Sequence, residues 1–212
     1  MNTLDAIINS RIFAILRAVP ANRLTGVAQA LIRGGVRALE VTFVQNGRLL
    51  DTAESICALR DALGSSITLG AGTVMTVEQL ETAKMAGAEF IVAPNTDERL
   101  IARAKELSLT AIPGALTPTE VARAYAAGAD AVKLFPAGLM GAEYLKAIRG
   151  PMPHIPIAAV GNITENNIAA FKNAGACAFG ISSGLASTEE IKNCRYENIT
   201  QNCKRYFGAL NA

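Results

Sequence analysis

A lysine, a glutamate and an arginine stand where charged side chains are uncommon. Lys133 interrupts the apolar run AVKLF, whereas Lys84, Lys105, Lys146, Lys172, Lys192 and Lys204 fall in segments with helical patterning. On an extended segment Lys133 shares a face with Ala131 and Phe135. Burial on that face disfavours the ammonium form and lowers the pKa, so a free amine becomes accessible near neutrality. A neutral amine against an apolar wall can attack a ketone and form a Schiff base, which then serves as an electron sink. The other reading is a structural lysine paired with a carboxylate such as Glu40.

Glu40 sits in ALEVTF, where Ala38, Glu40 and Thr42 share one face and Leu39, Val41 and Phe43 the other. A carboxylate held on the inner face is raised in pKa by burial and lowered by a nearby cation, which suits proton transfer around an imine carbon. It could instead only neutralise Lys133 or Arg17. Arg17 closes the run FAILR, with Ile15 on its own face, and its guanidinium is placed to clamp a carboxylate or phosphate. It could also be a solvent-exposed strand terminator or a partner of Glu40. Thr73, in GAGTV, offers a hydroxyl among small neighbours that let a ligand approach the backbone, although an ordinary turn would look the same. Two late segments, AVGNIT with Gly161 and Asn162, and GISSGL with Ser183, could bind an anion through backbone N–H groups, or could be two tight turns.

These residues need a scaffold that brings them together. A cassette recurs along the chain, in ALIRGGVRALEVTF, AKMAGAEFIVAP, AYAAGADAVKLFP and FKNAGACAFGIS: an Ala-rich amphipathic helix ends at Gly and a short apolar run follows. Gly just past a helix takes the left-handed cap, and short apolar runs suit strands covered on both faces. Strands are predicted at 13–17, 38–42, 67–71, 90–94, 110–113, 131–135, 157–160 and 178–182. Helix starts are expected at Asn22, Thr76, Thr96, Thr117, Thr164 and Thr188, several with a following Glu. Eight such units predict a (β/α)8 barrel, the TIM-barrel architecture, with MNTLDAIINS as a leading helix over its bottom; a doubly wound open sheet is the alternative. In a barrel the chemistry gathers at the carboxyl ends of the strands, where the residues above fall.

Composition narrows the options. With 212 residues, of which 50% are hydrophobic and 18% charged, the chain can bury a full core, and one domain spanning 1–212 is expected because no linker divides it. A net charge of +2, 5% aromatic residues and no Trp suggest neither a nucleic-acid groove nor a stacking platform. Cys57, Cys177, Cys194 and Cys203 form no C-x-x-C pair and His154 is the single histidine, so no metal is expected, nor Ser-His chemistry. The cysteines read as small buried hydrophobes or surface thiols, and His154, ahead of the seventh strand, as a bottom or surface residue. The segment KNCRYENITQNCKRYF reads as a last helix. The N-terminus lacks a basic lead and a cleavage pattern, and no stretch approaches the length of a membrane span, so a soluble cytoplasmic protein without membrane or nucleic-acid partners is expected.

In order, RA after the first strand, LEVT, GAGTV, VAPN, IPG and VKLFPA resemble the 2-keto-3-deoxy-6-phosphogluconate (KDPG) aldolase family, which includes 4-hydroxy-2-oxoglutarate and 2-keto-3-deoxy-6-phosphogalactonate aldolases. The likeness covers nearly the whole chain. It implies a class I aldolase without metal or other cofactor, acting on a 2-keto-3-deoxy phospho sugar acid with release of pyruvate, and commonly a homotrimer. By position it makes Lys133 the imine-forming lysine and Glu40 the proton-transfer carboxylate. Thr73 would hold the pyruvyl carboxylate, Pro94 and Phe135 would shape the pocket, Gly161 and Ser183 would lie on the phosphate side, and Arg17 matches an arginine of many members. Two stretches depart from the pattern: Val44 follows LEVTF where many phosphogluconate-specific members have an arginine after LEVTL, and Val160-Gly161-Asn162 stands where TGG is common. Rival readings are a phosphate-binding isomerase or epimerase using Glu40 as base, and a non-catalytic sugar-phosphate binder.

Overall fold

The computed structural model describes residues 2–211. Helix α1 (Thr3–Ser10) leads into β1 (Ile12–Leu16), α2 (Ala21–Arg33), β2 (Ala38–Thr42), α3 (Leu49–Leu63), β3 (Thr68–Gly72), α4 (Val77–Met85), β4 (Phe90–Val92) and α5 (Glu98–Glu106). There follow β5 (Thr110–Ile112), β6 (Gly114–Ala115), α6 (Pro118–Ala126), β7 (Val132–Leu134), α7 (Ala137–Met140), α8 (Ala142–Arg149), β8 (Ile157–Val160), α9 (Ile168–Asn173), β9 (Ala178–Ile181), α10 (Thr188–Lys192) and α11 (Tyr196–Asn211).

All paired strands are parallel, in the order β5-β4-β3-β2-β1-β9-β8-β7-β6. The expected fifth strand is broken into β5 and β6 because Pro113 has no N–H to give the ladder, yet its carbonyl accepts from Lys133 N–H at 2.8 Å. The two halves therefore pair on opposite sides, with β4 and β7, and the ring closes as the (β/α)8 barrel anticipated from the cassettes. Strands β4 and β7 stop at Val92 and Leu134, so Pro94 and Phe135 lie just past the strand ends, although Phe135 N–H still donates across to Ala115 O at 3.0 Å.

Side-chain parity behaves as alternation requires. Phe13, Ile15, Ala38, Phe90, Val92, Ile112, Ala131, Ala158, Val160 and Ala178 form one buried cluster inside the ring, while Leu39, Val41, Val132 and Leu134 belong to the core between strands and helices. Ile7 of α1, 1% exposed, joins the inner cluster and closes the bottom, as the leading-helix reading foresaw. Burying such a side chain contributes roughly 1.5–3 kcal/mol.

Helix starts follow local side-chain chemistry. Thr76 and Thr117 cap α4 and α6 as expected, the latter in a reciprocal capping box with Glu120. Elsewhere the starts shift: Asp97 caps α5 instead of Thr96, Ser187 caps α10 with Glu190 instead of Thr188, and α2 begins at Ala21 after Pro20, one residue before Asn22. Thr164 opens only a turn, its N–H bonded to Asn167, and α9 follows from Ile168. The expected final helix is interrupted where Cys194 adopts φ 52°, between α10 and α11. His154 is exposed at the bottom, edge-on to Tyr125.

Candidate active site

A cavity of about 610 Å³ opens at the carboxyl ends of the strands. Arg17, Thr73, Pro94, Lys133, Phe135, Gly161, Asn162 and Ser183 all line it, although they come from well-separated parts of the chain. Glu40 is not among the lining residues and is 1% exposed.

Lys133 and Glu40 owe their places to small neighbours. Lys133 on β7 is in register with Gly114 on one side and Ala158 on the other, so no bulky side chain competes for the barrel axis. Gly114 is itself required, since a Cβ there would strike the Pro94 carbonyl. Across the barrel, Glu40 aligns with Ile15 and Gly70. Its carboxylate occupies the place where a side chain on Gly72 would begin, so any residue larger than glycine would evict it.

The lysine is 6% exposed, and its Nζ lies 4.7 Å from the centroid of the Phe135 ring. Burial lowers its pKa, Glu40 opposes that shift, and the positive charge of Arg17 reinforces it. Burial raises the pKa of Glu40 against the pull of Lys133 and Arg17. Among the described residues no ion pair within 4.0 Å joins Lys133 to Glu40 or Arg17 to Glu40, and Glu40 Oε2 is buried with no hydrogen-bond partner. The structural-pair reading of the lysine therefore lacks its contact. What remains is an amine lowered in pKa that lines a cavity large enough for a sugar acid, close enough to feel the charge of a buried carboxyl group with unused hydrogen-bonding capacity. Such a pair can form an imine and shuttle protons next to it.

The phosphate-side expectation meets a turn-built wall. Gly161 and Asn162 take φ 89° and 56° in succession after β8. Glycine is favoured at 161 by its positive φ and because a Cβ there would lie 3.0 Å from the Phe135 ring, and Gly138 N–H donates to its carbonyl at 2.8 Å. Asn167 Nδ2 donates to the Asn162 carbonyl at 2.9 Å. After β9, Ser182 Oγ donates to Ile15 O at 3.0 Å, and Ser183 begins a turn before α10. Val44, 52% exposed, is not among the cavity-lining residues, whose basic side chains are Arg17 and Lys133.

Sequence reasoning missed Tyr206. This residue reaches the cavity from α11, packs over Gly184 and donates its hydroxyl to Ile163 O at 3.2 Å. Its signal was the stripe Ile199, Cys203, Tyr206, Leu210 at helical spacing, which marks a buried face without saying which strand ends it meets. Of the cysteines, Cys203 is buried and its thiol is pushed up to about 12, Cys177 is partly buried and pushed up to about 11, and neither lines the cavity.

Residues 4–202 match the family model for KDPG and KHG aldolase. The chain belongs to that family. A 2-dehydro-3-deoxy-6-phosphogalactonate aldolase of Escherichia coli (strain K12) is 35% identical, covering 82% of this chain and 83% of the relative. A 2-dehydro-3-deoxy-phosphogluconate aldolase of Treponema pallidum (strain Nichols) is 36% identical over 79% of this chain and 78% of its own. A solved structure described as native KDPGal superposes with a TM-score of 0.85 at 32% identity, covering 94% of both chains. The barrel is thus the family's fold, and the resemblance read from LEVT, GAGTV and VKLFPA holds along the chain.

Proposed function

We propose that this aldolase, a carbon–carbon lyase, is a class I enzyme that cleaves 2-dehydro-3-deoxy-6-phosphogluconate to pyruvate and glyceraldehyde 3-phosphate. The observation that carries the reading is the buried Lys133 amine, lowered in pKa, facing the cavity near the unpartnered Glu40 carboxyl.

Lys133 Nζ attacks the C2 ketone, and loss of water gives a protonated imine. The imine accepts the electron pair of the C3–C4 bond as it breaks, while Glu40, directly or through a water, takes the C4 hydroxyl proton and the aldehyde forms. Glu40 then returns a proton to C3 of the enamine, and hydrolysis of the imine frees pyruvate and restores the amine. Proton transfer of this kind contributes about 10²–10⁴-fold in rate. Thr73 holds the substrate carboxylate, Pro94 and Phe135 flank the pyruvyl half, and Gly161, Asn162 and Ser183 receive the phosphate. With Val44 unable to offer a charge, Arg17 supplies the guanidinium for an anionic end of the substrate.

The galactonate epimer is the second reading, favoured by Val160 and Val44 and by the similarity to the E. coli enzyme. Lactate-dehydrogenase-coupled pyruvate release, run on phosphogluconate, phosphogalactonate and 4-hydroxy-2-oxoglutarate substrates, separates them by kcat/KM. Borohydride with pyruvate should add mass at Lys133; turnover without an adduct returns the assignment to a base-catalysed isomerase or epimerase, and binding without turnover to a sugar-phosphate binder.

The family resemblance further supports a homotrimer, and the exposed Met75, Val77, Leu139 and Met140 provide apolar surface for association. Sedimentation gives the subunit count. No helix among the described residues is long and apolar enough to cross a membrane, and a cytoplasmic setting, testable by fractionation, fits the proposed metabolite.

A further inference from the structure

Thr73 is β-branched yet sits at φ 55°, a left-handed conformation that costs roughly 1–3 kcal/mol when a residue of this type adopts it. The surrounding structure must therefore hold it. Two glutamines from different elements do so. Gln45, in the turn after β2, donates from Nε2 to the Thr73 carbonyl at 2.8 Å. Gln79, in the first turn of α4, donates from Nε2 to Gln45 Oε1 at 3.2 Å and accepts from Met75 N–H on Oε1 at 2.7 Å.

The direction of this chain is forced by its ends. A backbone N–H can only donate, so the Gln79 oxygen must face Met75 and its NH₂ must face Gln45. The Gln45 oxygen must then face Gln79, which leaves the Gln45 NH₂ for a carbonyl that can only accept. The bonds run Met75 N–H, Gln79 amide, Gln45 amide, Thr73 carbonyl, and close a loop around Val74, which is fully buried. Gln79 is 8% exposed, so its share of the relay is shielded from water. Sequence carried half of the signal: Thr76 and Gln79 have capping-box spacing, and Thr76 does accept from Gln79 N–H, but the glutamine side chain reaches past the cap to Met75.

We propose that Gln45 and Gln79 are positioning residues that act as one unit to hold the Thr73 hydroxyl at the mouth for the carboxylate of the keto acid. This rests on the aldolase reading and on the role given there to Thr73. Neither glutamine lines the main cavity, so both act through Thr73.

The test is borohydride trapping across a pyruvate titration, with kcat and KM measured alongside. Gln79→Glu keeps the size and the acceptor for Met75 but removes the donor to Gln45. Gln45→Ala removes the donor to Thr73 at an exposed position, and it is neutral, which separates lost donation from added charge. Each single variant should raise half-saturating pyruvate and KM about 3–10-fold, the equivalent of one lost hydrogen bond, with the limiting adduct yield and kcat retained. The double variant should rise no further, because either change already breaks the relay. Unchanged half-saturation in both single variants, or effects that multiply in the double variant, overturns the relay. A parent chain that traps no pyruvate at all defeats the functional reading itself, and the two failures are thereby distinguished.

Discussion

The two ends of the barrel treat several charged groups in opposite ways. At the bottom, Arg60 bonds the carbonyls of Gly64 and Gly87 and the carboxylate of Glu89, Arg149 bonds those of Pro153 and Ile155, and Arg37 those of Ile32 and Val36. Asp130 there accepts from Lys105 and from Ala111 N–H. At the mouth, Glu40 Oε2 has no partner, Lys133 has an aromatic face in place of a carboxylate, and Arg17 is exposed. A satisfied group contributes to stability, while an unsatisfied one keeps its capacity for a substrate. The difference teaches that the charged groups at the bottom are committed to the ring, while those named at the mouth keep bonding capacity that the proposed chemistry would use.

Lys133→Met tests that division most severely. It keeps the bulk and removes the amine, so turnover should fall by at least about 10³-fold and the borohydride adduct should vanish, with the thermal midpoint unchanged or higher.

Glu40→Gln should lower kcat by about 10²–10⁴-fold. It should also stabilise the fold near neutrality, raising the melting midpoint by ~2–4 °C for about 1 kcal/mol. The sign follows from burial, which raises this carboxyl above its ordinary 4.5. Such a group favours the fold below its unfolded pKa and loses that contribution as pH rises through the folded one, so the gain from Gln appears near neutrality and disappears in acid. Because Glu40 opposes the lowering of the Lys133 pKa, the same substitution should move the acid limb of imine trapping to lower pH. An acid limb that moves upward would break the coupling between the two groups.

Ile7→Ala, at the bottom, should behave in the reverse way, costing about 2–4 kcal/mol in denaturant unfolding with kcat and KM unchanged. The smallest effect is expected at the phosphate-side wall. Asn162→Gly should raise KM for a phosphorylated substrate by about 2–10-fold, the range of one neutral hydrogen bond, and leave 4-hydroxy-2-oxoglutarate unaffected.

Much of this was legible because alternation is a local property. Lys133 within AVKLF and Glu40 within ALEVTF declare their inward faces without any tertiary knowledge, and the Gly-terminated cassettes announce helix followed by parallel strand. Boundaries were less legible. Ser187 competed with Thr188 and Asp97 with Thr96 for the same cap, a choice made by which side chain reaches a first-turn N–H, that of Glu190 for Ser187 and of Arg99 for Asp97. Cys194 broke a segment that its pattern alone would continue as helix.

The chain by itself determined the strand and helix pattern, the parity of Lys133 and Glu40 and the absence of bulk at Gly72 and Gly114, because each depends on residue type and short-range spacing. Only the tertiary structure decided that Glu40 would lie over Gly72 without an ion pair, that Tyr206 would reach the mouth from the last helix, and that two glutamines would steady Thr73. Those outcomes depend on which distant segments the closing ring brings into contact, and no local period encodes that distance.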